Sequence, residues 1–331
     1  MLPRLADLVH NGVTCALTLR LLPGATPPRE ACAACAFNLL FVSMCGNSPV
    51  GWLTAALFLS ATDADFTRAK QICQSLAPDP ALGDYVVCLA LLAAFVFTYL
   101  VHGALWVLLD LLPIAQVYKL QPDAKIPWPT TLRIIRDALA NLLIVGTLYV
   151  LVLAHWSIAN NNTAGVRLHE PLPTHEQRLL WFLAHVTVNE ILFYYSHRAL
   201  HHPRLYLAIH KWHHKFPAPN ALAALYAHPV EFLLSNLVPF TAGFMLFRPH
   251  VFFALQWIVG ACLGTQTHHS GYRMPWIAAH DKQPDFHDLH HKEFTSCYGV
   301  LGVLDFVHGT LPKRRVVGGG ASKTVALDKE E

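Results

Sequence analysis

Long apolar runs separated by short charged segments dominate this chain. The clearest run extends from Tyr85 to Leu109 and contains one histidine and no charged side chain; the next, Ala138 to Ile158, is also uncharged. Because about 20 apolar residues in a helix cross the hydrocarbon core of a bilayer, both runs predict transmembrane helices. A third run, Leu179 to Tyr195, contains Glu190, and a carboxylate inside a span indicates a functional position.

Shorter apolar runs complete the pattern. Phe232–Phe247 and Val251–Thr265 would each cover about 24 Å or less as helices, so they predict a tight hairpin that crosses the membrane fully or only in part. The uncharged stretch Ala31–Thr62 is broken at residues 46–49, so it predicts a transmembrane helix, a re-entrant pair or part of a targeting region. Together the runs predict an all-α polytopic membrane bundle with about four to six membrane segments.

Loop charges predict how these helices are oriented. Residues 113–136 contain four basic side chains, whereas residues 159–177 contain only Arg167. The positive-inside rule therefore places the first loop in the cytosol and the second on the opposite side of the membrane. If the third run crosses and the following hairpin returns, residues 197–228 and 269–311 share the cytosolic side.

Composition narrows the class of protein further. Apolar residues make up 54% of the 331 residues and charged residues only 14%, against about 25% charged in an ordinary soluble domain. The net charge of +3 gives no indication of nucleic-acid binding. Histidine is the unusual residue, because 14 of its 21 copies lie between His197 and His291. The composition thus predicts a membrane protein whose chemistry lies in that region.

Three histidine motifs carry the candidate chemistry: H-x-x-x-H at 197–201, and H-x-x-H-H at 210–214 and again at 287–291. Residues three and four apart share a helix face, so each motif presents its imidazoles together. Neutral imidazole binds iron, zinc and copper, and eight converging rings exceed the needs of one ion. A zinc hydrolase uses about three ligands, a carboxylate-bridged bundle needs more acidic residues, and a metal transporter would place its ligands inside the spans. The motifs therefore predict a dimetal site.

The sequence around these motifs resembles the fatty acid hydroxylase / sterol desaturase superfamily of integral-membrane di-iron oxygenases, over roughly residues 110–311. Beyond the histidine motifs, Tyr118–Pro122 (YKLQP), Tyr226–Glu231 (YAHPVE) and His269–Tyr272 (HSGY) resemble stretches of its methylsterol monooxygenase-like branch. Within that branch, Cys297–Asp305 and the following His-Gly-Thr are most similar to the group of fatty acid hydroxylase domain-containing protein 2.

The resemblance implies roles for individual residues. Nine histidines are expected to bind two iron ions: His197, His201, His210, His213, His214, His269, His287, His290 and His291. Glu190 is expected either to orient a ligand ring through its free N–H or to be a paired structural carboxylate. His228 is expected to be a further ligand or to support the ligands by hydrogen bonding. His202 is either a supporting residue or a polar residue at a helix end.

The implied activity is an O2-dependent monooxygenase reaction on a membrane lipid, with a C4-methylsterol as the first candidate. Fatty-acyl or sphingolipid hydroxylation and sterol desaturation are alternatives within the superfamily, and a non-catalytic relative that binds lipid or protein partners is the alternative of another class. The chain contains no haem-binding His-Pro-Gly-Gly stretch and no Gly-x-Gly-x-x-Gly or flavin motif. An external electron source is therefore expected. The resemblance implies that this source is cytochrome b5 with an NAD(P)H-dependent reductase, and that the protein resides in the endoplasmic reticulum.

These interpretations divide the chain into four parts. Residues 1–82 form an N-terminal region with a possible membrane segment at 31–62, and residues 83–177 contain the first two transmembrane helices with their loops. Residues 178–311 form the catalytic domain, in which a histidine-rich helical cap on the cytosolic side holds the metals. Residues 312–331 are predicted to be a disordered tail.

Overall fold

The computed structural model describes residues 2–76, 80–159, 165–168, 171–277 and 281–312, so the predicted tail beyond residue 312 lies outside the described residues. Apart from two isolated bridges, the regular structure of this part of the chain is helical, which confirms the predicted all-α class. The α-helices are α1 Leu2–Leu21, α2 Pro28–Met44, α3 Pro49–Ser60, α4 Asp63–Leu76, α5 Pro80–Asp110, α6 Trp128–Ala140, α7 Thr147–Ala159, α8 His175–Leu200, α9 Pro203–Ala208, α10 Pro229–Glu231, α11 Val238–Phe247, α12 Val251–His268, α13 Gln283–Glu293 and α14 Val303–Val307. Three 3-10 helices (Pro113–Tyr118, His210–Lys215, Ala221–Leu225) and two π-helical segments (Asn141–Gly146, Phe232–Leu237) link them.

Three helical stretches within the described residues are long and apolar enough to cross a bilayer: Leu82–Asp110, Trp128–Trp156 and Pro229–Phe247. The first two contain most of the two clearest predicted spans. The remaining predicted spans, 179–195 and 251–265, are helical within α8 and α12. Neither helix, however, is one of the three stretches that are apolar enough to cross a bilayer. The polar side chains in α8 and at the end of α12 reduce their mean hydropathy.

The uncharged stretch at 31–62 forms two helices rather than one span. Residues 45–48 separate α2 from α3, and Gly46 and Asn47 adopt positive φ angles of 67° and 52°. The side chain of Ser48 accepts a hydrogen bond from the backbone N–H of Gly51 and so caps α3. Neither helix reaches the length of about 20 residues that a full span requires.

Close packing of α2 on α12 depends on the sequence Gly260-Ala-Cys-Leu-Gly264. A Cβ atom at Gly260 would lie 2.2 Å from the side chain of Met44, and one at Gly264 would lie 2.2 Å from the backbone oxygen of Met44. Small residues spaced four apart let helix backbones approach in this way. The N-terminal helices are therefore packed against the helix that leads to His269.

Helix α8 carries the first histidine motif and has well-defined ends. Thr174 and Gln177 form a reciprocal capping box at its start. It ends before His202-Pro203, because the residue that precedes a proline disfavours helical geometry. Its last turn thus carries His197, and His201 follows as the C-terminal cap residue, next to the 3-10 helix at 210–215.

Candidate metal centre

The predicted ligands come together from four elements. The end of α8 contributes His197 and His201, the 3-10 helix contributes three rings of the second motif, the end of α12 contributes His269, and α13 contributes the third motif. The second motif was predicted on an α-helical face, but the tighter 3-10 turn is observed there. The nine histidines form two groups of facing nitrogens: His197, His201, His210, His214 and His290; and His213, His269, His287 and His291.

His210 is the centre of the first group. Its Nε2 lies 3.2 Å from Nε2 of His197 and 3.0 Å from Nε2 of both His201 and His214. Nε2 of His290 lies 3.1 Å from Nε2 of His214. The five candidate ligand nitrogens all lie within 4.8 Å of one another, so they surround one small volume.

The second group is smaller and adjoins the first. Nε2 of His269 lies 3.4 Å from Nε2 of His213 and 2.7 Å from Nε2 of His287, and the latter lies 3.1 Å from Nε2 of His291. The ring centroids of His214 and His291 are 4.7 Å apart. Two ion-sized positions therefore lie side by side, as the excess of histidines over the needs of one ion predicts.

Backbone carbonyls fix the orientation of several rings. Nδ1 of His197 donates to the carbonyl of Tyr298 (2.8 Å), Nδ1 of His290 to Ser296 (2.7 Å) and Nδ1 of His213 to Tyr226 (3.1 Å). Nδ1 of His269 donates to its own helix at Thr265 (2.8 Å). Because a carbonyl only accepts, the proton is on Nδ1, and the lone pair of Nε2 faces the centre of each group.

Burial keeps these imidazoles neutral. Desolvation lowers the pKa of His197 and of His213 to about 4 and that of His201 to about 2. The same cause, reinforced by neighbouring rings, lowers the pKa of the remaining six below the ordinary range: His210, His214, His269, His287, His290 and His291. At neutral pH the rings are therefore uncharged, which is the form that binds metal.

Glu231 supports the central ring of the first group, a role that sequence reasoning missed. Its Oε1 lies 2.9 Å from Nδ1 of His210, and both side chains are almost completely buried. A carboxylate against the outer nitrogen of a ligand histidine fixes the ring and makes it more basic. The sequence offered only a weak signal, the acidic last residue of Tyr226–Glu231.

Glu190 does not touch a ligand ring. Its Oε2 accepts hydrogen bonds from the backbone N–H groups of Val300 and Leu301, both at 2.8 Å. Asp305 holds the start of the same loop by accepting from the N–H of Tyr298 (2.8 Å). Of the two predicted roles, the paired structural carboxylate agrees with these contacts. Glu190 acts on the centre indirectly, through the loop that presents the carbonyl of Tyr298 to His197.

His202 and His228 lie outside both groups. His202 is exposed and precedes the first residue of α9, in agreement with a polar residue at a helix end. Nδ1 of His228 accepts from the backbone N–H of Val230 (3.2 Å), and its ring packs on Trp212. His228 therefore caps α10, and the structure does not bring it to the ligand nitrogens as a tenth member.

Two of the other sequence motifs brace the centre. Nε2 of Gln121, in Tyr118–Pro122, donates to Asp288 (3.0 Å) on α13 and to the carbonyl of Pro217 (2.9 Å). The backbone N–H of Leu120 donates to the carbonyl of Gly271 (2.9 Å) in His269–Tyr272. The segment after α5 thereby ties together α13, the chain that follows the second motif and the chain that follows His269.

A cavity of about 670 Å³ extends from the histidines into the helical bundle. One end of the cavity is lined by five candidate ligands: His197, His210, His213, His269 and His287. Away from the histidines, its walls are largely apolar and aromatic and include Leu91, Phe95, Leu142, Phe182, Phe240 and Trp257. The volume is that of a small-molecule pocket, of the order of 300–1,000 Å³. An apolar molecule in this cavity would lie next to both groups of nitrogens.

Comparison with known proteins agrees with this geometry. The family model described as fatty acid hydroxylase matches residues 182–310. Fatty acid hydroxylase domain-containing protein 2 of Homo sapiens is 45% identical over 139 residues (42% of this chain, 40% of the relative), and fatty acid hydroxylase ahd1 of Mycosarcoma maydis is 36% identical over 197 residues (58% and 49%). A putative methylsterol monooxygenase of Dictyostelium discoideum is 32% identical over 213 residues (62% and 76%).

The matched segment spans less than half the length of the first two relatives, and three quarters of the third. No solved structure matches the chain. The family match contains all nine histidines and the two carboxylates that brace them, Glu190 and Glu231. This chain belongs to the fatty acid hydroxylase family.

Proposed function

We propose that the protein is a membrane-bound, non-haem di-iron oxygenase that hydroxylates or otherwise oxidises a lipid, with a sterol as the first candidate substrate. The observation that carries the proposal is the convergence of nine neutral imidazoles in two adjacent groups, five of which line one end of an apolar cavity. The names of the relatives support it, since they include fatty acid hydroxylases and methylsterol monooxygenases.

The donor set fits two ions. Nitrogens that each bind an ion at about 2.1 Å, at angles of about 90–110°, lie about 3.0–3.4 Å apart. Five of the seven Nε2 contacts fall at 3.0–3.2 Å and another at 3.4 Å. Where both rings carry their proton on Nδ1, as in His213 and His269, the lone pairs that face one another repel unless a cation lies between them. Imidazole nitrogen without bridging carboxylate suits iron, zinc or copper, and the oxygenase proposal selects iron.

The two histidine groups, Glu231 and the cavity wall would then each have a distinct role. Bound iron would supply the activation of O2. The first group would hold one ion through its five histidines and the second group the other through its four, while Glu231 keeps the ring of His210 in place. The apolar walls bind the lipid and exclude water from the site. Insertion of one oxygen atom consumes O2, two electrons and two protons and yields the hydroxylated lipid and water.

A protein electron donor is proposed to bind on the outer side of the centre. His201 lines no part of the cavity; it borders a surface depression with Arg198 and Tyr298. From residue 191 to residue 230 the chain has no acidic residue, and its four cations, Arg198, Arg204, Lys211 and Lys215, are all exposed. Such a surface attracts an acidic partner. Cytochrome b5, served by an NAD(P)H-dependent reductase, is the proposed donor.

The site is proposed to face the cytosol from the endoplasmic reticulum membrane. The four basic side chains in residues 113–136 support this side, because the loop that contains Gln121 packs against α13. The alternative substrates, fatty-acyl chains, sphingolipids or a sterol that undergoes desaturation, share the same cavity and ligand set.

The test is metal analysis of the purified full chain together with an assay that depends on O2, reductant and lipid. We expect about two irons per chain and an oxygenated product from a 4-methylsterol or another lipid. His213→Ala should abolish turnover and leave membrane insertion intact, whereas the matched variant His228→Ala should keep both, since His228 lies outside the two groups. A folded, metal-free chain that no iron salt loads would contradict the proposal.

A further inference from the structure

Uncharged polar side chains interrupt the apolar wall of the cavity at several positions. Three of them, Asn189 on α8 and Ser235 and Asn236 on the π-helical segment that precedes α11, lie on two elements that pack against each other, and none of the three forms a side-chain hydrogen bond with another described residue. Some other polar wall residues are paired, such as Tyr149 and Thr241, whose hydroxyls lie 2.6 Å apart, whereas Ser43 and Thr265 are not. We call Asn189, Ser235 and Asn236 the amide subsite.

Two of these residues also lie where an unpaired polar group is costly. Ser235 and Asn236 belong to the apolar stretch Pro229–Phe247, which is long enough to cross a bilayer. Ser235 is 97% buried, because its exposed fraction is only 3%. Polar groups withdrawn from water require a hydrogen-bond partner. Since the described residues supply none and Ser235 lines the cavity, the group that meets its hydroxyl comes from the contents of the cavity, either water or a bound molecule.

The distance of the amide subsite from the histidines follows from the rise per residue of the two helical segments that carry it. On α8 the cavity-lining residues Phe182, Val186, Asn189, Phe193 and His197 recur every three or four positions and form one stripe. Asn189 precedes His197 by eight residues, which is about 12 Å of helix, and Asn236 follows Glu231 by five residues, which is about 7 Å. The subsite thus lies about 7–12 Å from the level of the candidate ligands.

We infer that the amide subsite binds a hydroxyl or carbonyl group of the lipid substrate, at about 7–12 Å from the carbon that reaches the metals. This inference rests on the proposed function and narrows its substrate class. The subsite contains two amides and one hydroxyl and no charge, so it suits a neutral group that donates or accepts hydrogen bonds. A sterol held there by its 3-hydroxyl would present its distant rings or side chain to the metals, rather than the carbon next to that hydroxyl.

Paired lipid probes test the inference by binding, separately from turnover. The purified full chain in nanodiscs is titrated with two sets, each differing only in a hydroxyl: octadecanoic acid against its positional monohydroxy isomers, and 5α-cholestane against its 3-hydroxy derivative. We expect the wild-type chain to bind at least one hydroxylated member about tenfold more tightly than its parent. Asn189→Leu and Asn236→Leu, which keep similar volume, should lose that preference and bind the parent equally well or better.

Two controls separate the possible outcomes. Phe182→Leu alters the same stripe without changing hydrogen bonding, so it should weaken both members of a pair by the same factor. Ser235→Ala is a smaller change that preserves the test if a leucine variant fails to fold. Equal binding of both members in both sets by the wild-type chain, or an unchanged preference in folded variants, overturns the inference. Iron content is measured alongside, so that loss of the metal centre is recognised as failure of the proposed function instead.

Discussion

Glu231 offers the sharpest test of how the centre is built. Its Oε1 faces Nδ1 of His210 at 2.9 Å, and Nε2 of that ring contacts three other candidate ligands at 3.0–3.2 Å. The other carboxylate oxygen, Oε2, is buried and has no hydrogen-bond partner among the described residues. Nδ1 of His210 is likewise buried without a well-aligned hydrogen bond, so its contact with the carboxylate is one of proximity, and the substitution Glu231→Leu removes the polar group that faces it.

The size of the effect follows from what such partners contribute. Loss of a residue that supports a metal-bound histidine lowers metal affinity about 10–100-fold, which corresponds to about 1.4–2.8 kcal/mol. We expect Glu231→Leu to lower the metal affinity by a factor near the upper end of this range. Glu231→Gln keeps an oxygen acceptor at the same place without the charge, so it should lower the affinity by a factor nearer ten.

The assay is the iron retained per chain after equilibration with increasing chelator concentration. Because Glu231 supports a ring of the first group, we expect one of two irons to be lost early and the other, held by the His213 group, to remain. Glu293→Gln, an exposed carboxylate at the end of α13, is the control and should behave as wild type. Two irons retained by folded Glu231→Leu at wild-type chelator concentrations would refute the supporting role of this carboxylate.

Three further substitutions probe other parts of the structure. His228→Ala should keep full iron content by metal analysis, because the ring caps α10 instead of joining the ligands; loss of an ion would make it a ligand. Gly264→Val should destabilise the chain by about 1–3 kcal/mol in thermal unfolding, because its Cβ would lie 2.2 Å from the oxygen of Met44, whereas Gly12→Ala, with open space around it, should not. Glu190→Gln should raise amide hydrogen exchange in the loop it holds and weaken the first ion; unchanged exchange would show that the loop does not depend on that charge.

Sequence reasoning could identify the candidate ligands because their spacing is local. Histidines three and four apart must emerge on similar sides of a helical turn, and nine of them converge as expected. It treated each H-x-x-H-H motif as one face, however, and the structure divides both motifs. In each motif the residues four apart share a group, and the remaining histidine, His213 or His290, joins the other group. On the α-helix α13 this follows because the neighbouring positions of His290 and His291 diverge by ~100° around the axis.

The supporting residues could not be predicted with the same success. Whether a carboxylate meets a ring depends on how distant segments pack, as with Glu231 and His210, or with Glu190 and the loop at 300–301. The apolar pattern was likewise sufficient for the all-α class. At 31–62 the pattern predicted the break at residues 46–49 and left three alternatives open. It could not decide among them, because the contact of Gly264 with Met44, which packs α2 on α12, becomes visible only when the two helices are in place.

The packing of α2 has a consequence for how the family's reaction is tuned. Leu40, Ser43 and Met44 form part of the cavity wall, yet all three lie outside the segment that matches the family model. Part of the wall that limits the size of a bound molecule is thus contributed by a stretch of the polypeptide outside the segment that carries the histidines. A chimera that exchanges residues 28–60 alone should change which lipid lengths and shapes are accepted, while iron loading and the reaction type stay the same.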